Sequence, residues 1–209
     1  MNLAFTVAAQ DEDGGGTLIV GLPSAETLDP ALGSNDPEVL FNINIYDQLI
    51  DVNPDGTLSP NLATEWEISE DNLTYTFTLA EGVTFHDGSE FTAEDVVFTF
   101  NRLQELESSA VGLLGEFEVE AVDDTTVQFT LPDVNADFLF GVASRFASIL
   151  NAGTEEPNVI VEGDNPFANF NGTGPFVLTD YSPGESATFT ANENYWIEGM
   201  PMLDAGEFV

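Results

Sequence analysis

The chain of 209 residues has no cysteine and no lysine, and its only cations are Arg102 and Arg145. The lack of cysteine excludes a disulfide scaffold, thiol chemistry and Cys-ligated zinc or iron–sulfur centres. A single histidine, His86, leaves little scope for a histidine metal site. The near-absence of basic side chains excludes phosphate-neutralising nucleic-acid binding and attachment to anionic lipid through a basic patch. No apolar run approaches the ~20 residues of a membrane span.

Acid is what the chain has in excess. There are 38 Asp and Glu, for a formal charge of −36, together with 17 Phe in a 43% hydrophobic composition. That apolar content is compatible with a packed core and excludes an acidic disordered tail. The carboxylates could mark a cation or basic-partner site, or a solvated surface suited to concentrated salt, where screening relieves self-repulsion. Their spread over Asp11–Asp13, Glu65–Asp71, Glu116–Asp124 and Glu193–Glu207 favours the solvated surface.

Periodicity gives a mixed set of elements. Thr17–Leu22 reads as a buried strand, and Val39, Leu40, Ile43, Tyr46, Leu49 and Ile50 recur at helical spacing over 37–50. Asn53-Pro54-Asp55-Gly56 reads as a turn. Leu73, Tyr75, Phe77 and Leu79 alternate with threonines as a half-buried strand. Gly82–Phe85 reads as a short strand before the turn His86-Asp87-Gly88. Thr92-Ala93-Glu94-Asp95 has the form of a capping box opening a helix that buries Val96, Val97, Phe100 and Leu103. Hairpins are expected over 118–131 and 176–191, a helix over 136–150, and the start of a strand over 203–209. Without a regular βαβ rhythm, the class is mixed α+β or irregular α/β.

Candidate chemistry is sparse. His86-Asp87 lacks a nucleophile or second histidine and fits a turn in which Gly88 takes positive φ. Asp51, Asn53, Asp55 and Gly56 imitate the start of a calcium loop, but Leu62 stands where the bidentate acid belongs. Gly172-Thr173-Gly174-Pro175 lacks the Gly-Lys-Ser/Thr of a phosphate loop. Asn72-Leu73-Thr74 and Asn171-Gly172-Thr173 are glycosylation sequons by pattern. No metal or cofactor is implied. Leu3–Ala9 has the form of the tail of a signal peptide, and Asp11–Gly16 that of an acidic, Gly-rich linker.

The stretch Leu62–Arg102 resembles the signature of family 5 extracellular solute-binding proteins, the peptide/nickel receptors of ABC importers. Leu28-Asp29-Pro30, Tyr46-Asp47-Gln48-Leu49, Pro60-Asn61-Leu62-Ala63, Val119–Leu131, Gly172–Phe176 and Asn192–Trp196 follow in family order. Ala80 and Thr84 stand where the family commonly has basic residues.

The resemblance implies a type II periplasmic-binding-protein clamp that closes two lobes over a ligand. Residues 17–209 correspond to an incomplete first lobe, and 1–16 to a leader remnant and linker. It further implies no catalysis, a small solute such as a peptide as ligand, ABC permease membrane subunits as partners, no nucleic acid, and action as a monomer. The location implied is periplasmic or extracellular, at the cell surface. Glu26, Thr27 and Leu28 after the first strand, with Thr173 and Gly174, are the expected cleft residues. A salt-adapted carboxylate hydrolase rests only on the abundance of acids, and a non-functional gene fragment with exposed apolar faces is the other alternative.

Overall fold

The computed structural model describes residues 15–21, 27–33, 35–154, 156–162 and 165–209. The leader-like segment Leu3–Ala9 and the candidate residue Glu26 lie outside these.

One layer is a four-stranded antiparallel sheet of order β4-β5-β7-β6, formed by β4 (Ala63–Ile68), β5 (Thr74–Leu79), β6 (Glu118–Asp123) and β7 (Thr126–Thr130). In β5 the expected alternation holds, with Tyr75, Phe77 and Leu79 buried. Helix α2 (Ala93–Glu105) packs on this sheet through Val96, Phe100 and Leu103. The Asp95 carboxylate accepts from Thr92 N–H at 2.8 Å in the expected capping box. Phe129 joins the layer's aromatic rings, lying 4.8 Å from Phe100, 5.5 Å from Phe138 and 5.6 Å from Phe77 between centroids, mostly edge-on. Short helices α3 (Val111–Leu114) and α4 (Phe138–Val142) close one end. They approach closely at Gly141, where a Cβ would lie 2.8 Å from Leu114 Cδ2.

The second layer is the mixed sheet β1-β10-β9-β8, comprising β1 (Thr17–Val20), β8 (Phe176–Ser182), β9 (Ser186–Ala191) and β10 (Ala205–Phe208). β1 runs parallel to β10, while β10–β9 and β9–β8 are antiparallel. Helix α1 (Asp36–Ile45) covers it with Phe41 and Ile45, which cluster with Leu178 and Phe189. The hairpin of β2 (Ile50–Val52) and β3 (Leu58–Pro60) lies between the layers in sequence and encloses the expected turn at Asn53–Gly56.

Four expectations are corrected. The helix expected over 37–50 ends at Ile45, because Tyr46 is extended. Its buried face is Pro37, Phe41 and Ile45, whereas Leu40 and Ile43 are 36% and 45% exposed. The sheet reaches only one side of α1, and sequence spacing alone does not say which. β1 is not a buried strand, since its residues alternate between exposed and half-buried. Gly82–Phe85 makes only an isolated bridge, Thr84 to Glu90, around the tight loop closed by Phe85 N–H to Ser89 O. The helix expected over 136–150 breaks after Val142, since Ser144 is extended, and only one 3-10 turn follows at Arg145–Ala147.

Candidate functional site

The loop after β1 is held by charge and by helix capping. The buried Glu38 carboxylate accepts from Thr27 N–H and Asn35 N–H, each at 3.1 Å, while Asn35 Oδ1 caps Glu38 N–H at 3.2 Å. Asp29 accepts from Ala31 N–H at 3.0 Å and takes both guanidinium arms of Arg102, with Nη1–Oδ1 at 3.0 Å. This bidentate geometry is the strong form of a carboxylate–cation pair. Ser108 Oγ donates to Ala31 O at 2.6 Å. Thr27 is half-buried, its hydroxyl accepting from Asp29 N–H, and Leu28 is buried in the second core.

The chain passes from the second core to the first within Ile45–Ile50, and the segment Asn171–Pro175 is bonded to that crossing. Gly174 N–H donates to Ile45 O at 2.9 Å. The contact is so close that a Cβ on Gly172 would sit 1.9 Å from Ile45 O. His86 N–H donates to Gly172 O at 2.9 Å, and its ring Nε2 lies 3.0 Å from Gly174 O. Burial pushes the imidazole pKa below its ordinary value, which keeps the ring neutral.

At this seam Asp47 is the buried charge. Its carboxylate accepts from Thr173 Oγ1 at 3.0 Å, Trp196 Nε1 at 3.1 Å and Tyr195 Oη at 3.2 Å. Burial raises its pKa, with these three donors acting against the rise. Burial likewise drives the Tyr195 and Tyr46 phenols upward. Thr173 is 0% exposed and Gly174 is buried with both backbone polar groups bonded, so these two expected cleft residues hold the seam from within. Leu28 shares the second core with Ile45, the last residue of α1, and Gly174 bonds to Ile45 O.

Sequence reasoning assigned no role to Asp47, Tyr195, Trp196, Glu38 or the Asp29–Arg102 pair. A lone acid inside Ile45-Tyr46-Asp47-Gln48-Leu49-Ile50 was the available signal for the first of these. A separate open groove of about 390 Å³ has Asp87, Glu156, Asn169 and Asn171 among its walls, and none of them comes from the 27–28 loop. Among the described residues, no three His, Cys, Asp or Glu side chains gather to hold a metal ion.

The model of the bacterial extracellular solute-binding proteins, family 5 middle region, matches residues 57–209. The chain belongs to that family. It is 35% identical over 184 residues to heme-binding protein A of Haemophilus influenzae, covering 77% of this chain and 33% of that protein. It is equally 35% identical over 179 residues to the dipeptide-binding protein of Escherichia coli, covering 74% of this chain and 33% of that one. Helicobacter pylori DppA, a periplasmic binding protein solved with the peptide STSA, superposes with a TM-score of 0.78 at 30% identity, over 94% of this chain and 43% of that one. The family 5 fold here is that of the type II periplasmic binding proteins, of which the chain covers part. It spans about a third of the length of the relatives it matches. Relatives of equal identity carry names for different ligands, so identity alone does not choose a ligand for this family 5 chain.

Proposed function

We propose that this chain is the N-terminal portion, the first lobe from residue 17 to 209, of an extracytoplasmic solute-binding component of an ABC importer. It takes oligopeptides or similar small solutes and delivers them to the permease subunits. The carrying observation is family 5 membership together with the clamped loop at the carboxyl end of β1. In sheets with parallel strands, ligands bind beyond the carboxyl ends of the strands. β1 runs parallel to β10, and Glu38 and Arg102 hold Thr27 and Asp29, which follow it in the chain. In this reading Glu26 and Thr27 belong to the ligand face and Leu28 anchors them in the second core, while Thr173 and Gly174 act from beneath by setting the seam. The protein binds as a monomer at the cell surface, performs no catalysis, and works in concentrated salt, as its spread of carboxylates supports.

The test is calorimetric titration of the full-length protein, in molar salt, with di- and tripeptides and with heme. Saturable peptide binding is expected. Heme binding alone would replace the ligand class, and no binding to any of these solutes would overturn the reading.

A further inference from the structure

The chain carries two Asn-X-Thr sequences, and the fold treats them oppositely. In Asn171-Gly172-Thr173, Asn171 is 6% exposed with its Oδ1 accepting from Asp87 N–H, and the Thr173 hydroxyl is bonded to Asp47 in the interior. Neither group is reachable in the folded protein.

Asn72-Leu73-Thr74 forms the end of the β4–β5 turn, with Asn72 exposed at φ 58°, a left-handed conformation that asparagine tolerates. Other groups close this turn. Asn72 N–H donates to Ser69 O at 2.9 Å, Leu73 N–H to Asp71 Oδ1 at 3.2 Å and Thr74 N–H to Ser69 Oγ at 2.9 Å. Ser69 Oγ in turn donates to Asp71 Oδ1 at 2.6 Å. The turn therefore keeps its shape without the Asn72 carboxamide or the Thr74 hydroxyl, and neither has a hydrogen-bond partner among the described residues.

We infer that Asn72 is an N-glycosylation site and that Asn171 is not. An exposed turn with a free carboxamide, followed two positions later by a free hydroxyl, is the acceptor such a modification needs. The donor is an oligosaccharide carried on a lipid phosphate. The Asn72 carboxamide nitrogen forms a bond to the anomeric carbon and gives up one proton. The bond from that carbon to the phosphate oxygen breaks, and the lipid phosphate leaves with the electron pair. The sugar is added to the layer built around Phe129, whereas Leu28 packs in the other core. Ligand affinity is therefore expected to be the same with and without the glycan.

The inference rests on the extracytoplasmic reading above, and the experiment separates the two. The protein is recovered from its native host in surface and cytoplasmic fractions and mapped by mass spectrometry after cleavage at glutamate, since two arginines leave trypsin little to cut. The expected result is surface protein whose Asn72 peptide carries an oligosaccharide mass and whose Asn171 peptide carries none. Asn72→Gln and, independently, Thr74→Val are each expected to remove that mass. Surface protein with unmodified Asn72, a glycan on Asn171, or one that survives Thr74→Val would overturn the inference while leaving the location intact. Protein confined to the cytoplasm would overturn both.

Discussion

The two four-stranded sheets differ in how far their own chain covers them. In the β4-β5-β7-β6 layer, Phe77, Phe100, Phe129 and Phe138 are fully enclosed, and helices close both the face and one end. In the β1-β10-β9-β8 layer, β1 and β10 contain no buried residue, and Ile19 is exposed. The helix covering this layer leaves Leu40 and Ile43 in solvent. The first layer is enclosed on the face that α2 covers, although Ile68 of β4 and Val122 of β6 are exposed. The second is enclosed only where α1 meets β8 and β9, and the Asp47–Thr173–Trp196 seam ties it to the first. Since buried apolar area supplies most folding free energy, the first layer is expected to carry the stability and the second to open first.

The largest expected effect comes from salt, because it acts on both layers at once. The Debye length grows from about 3 Å at 1 M to about 30 Å at 0.01 M, so dilution exposes every carboxylate to many others. Hydrogen exchange during such a dilution is expected to rise first in α1, β1 and β10 and only later in β5 and β7. A uniform rise would abolish the distinction between layers, and a melting temperature flat across this range would refute salt dependence itself.

Next in size, Phe129→Ala is expected to cost about 3–5 kcal/mol in denaturant unfolding, as it empties the centre of the aromatic cluster. The second-core counterpart is Phe189, beside Phe41 at 5.1 Å and Phe208 at 4.9 Å, and Phe189→Ala is expected to cost less, because β10 next to it is half-exposed. Equal costs would mean that the second layer is as well enclosed as the first.

The seam is probed by glycine. Gly172→Ala drives a methyl into Ile45 O and is expected to cost about 3 kcal/mol, at the upper end of overpacking penalties. Gly184→Ala, at the open β8–β9 turn with φ 77°, is expected to cost about 1–2 kcal/mol from backbone strain alone. Equal costs would mean that the seam yields to the added methyl.

The smallest effect concerns pH. Because burial raises the Asp47 pKa, the folded state binds that proton more readily than the unfolded chain. Its contribution is therefore complete below the ordinary carboxylate range and declines as pH rises through the raised value. Asp47→Asn removes this term, so urea titrations at stepped pH should show the unfolding free energy of wild type falling relative to the variant as pH rises toward neutrality. A rise of wild type relative to the variant would mean that the three donors, and not burial, dominate the carboxylate.

Local patterns were legible wherever one face of an element met one core. The Tyr75–Leu79 alternation, the Thr92–Asp95 cap, the hairpins of 118–131 and 176–191 and the closing strand near 205 are all present. Patterns failed where a partner from far along the chain decides. Leu40 and Ile43 have helical spacing but no sheet above them, and Gly82–Phe85 has strand-like residues but no neighbouring strand. Thr173 and Gly174 were legible as a family motif, and only the packing of Ile45 against Gly174 makes them interior groups.

By itself the sequence determined the charge, the absence of thiol and basic-patch chemistry, the local strands and caps, and, through its ordered motifs, the family. Those properties reside in single residues or in short spacings along one element. Tertiary structure decided which face of α1 is buried, that Asp47 is the charge at the seam, and that of two Asn-X-Thr sequons one is open and the other closed. The buried face of α1, the Asp47 seam and the closure of Asn171 depend on contacts between residues as much as 149 positions apart, as in Asp47 with Trp196, and no local period encodes such a contact.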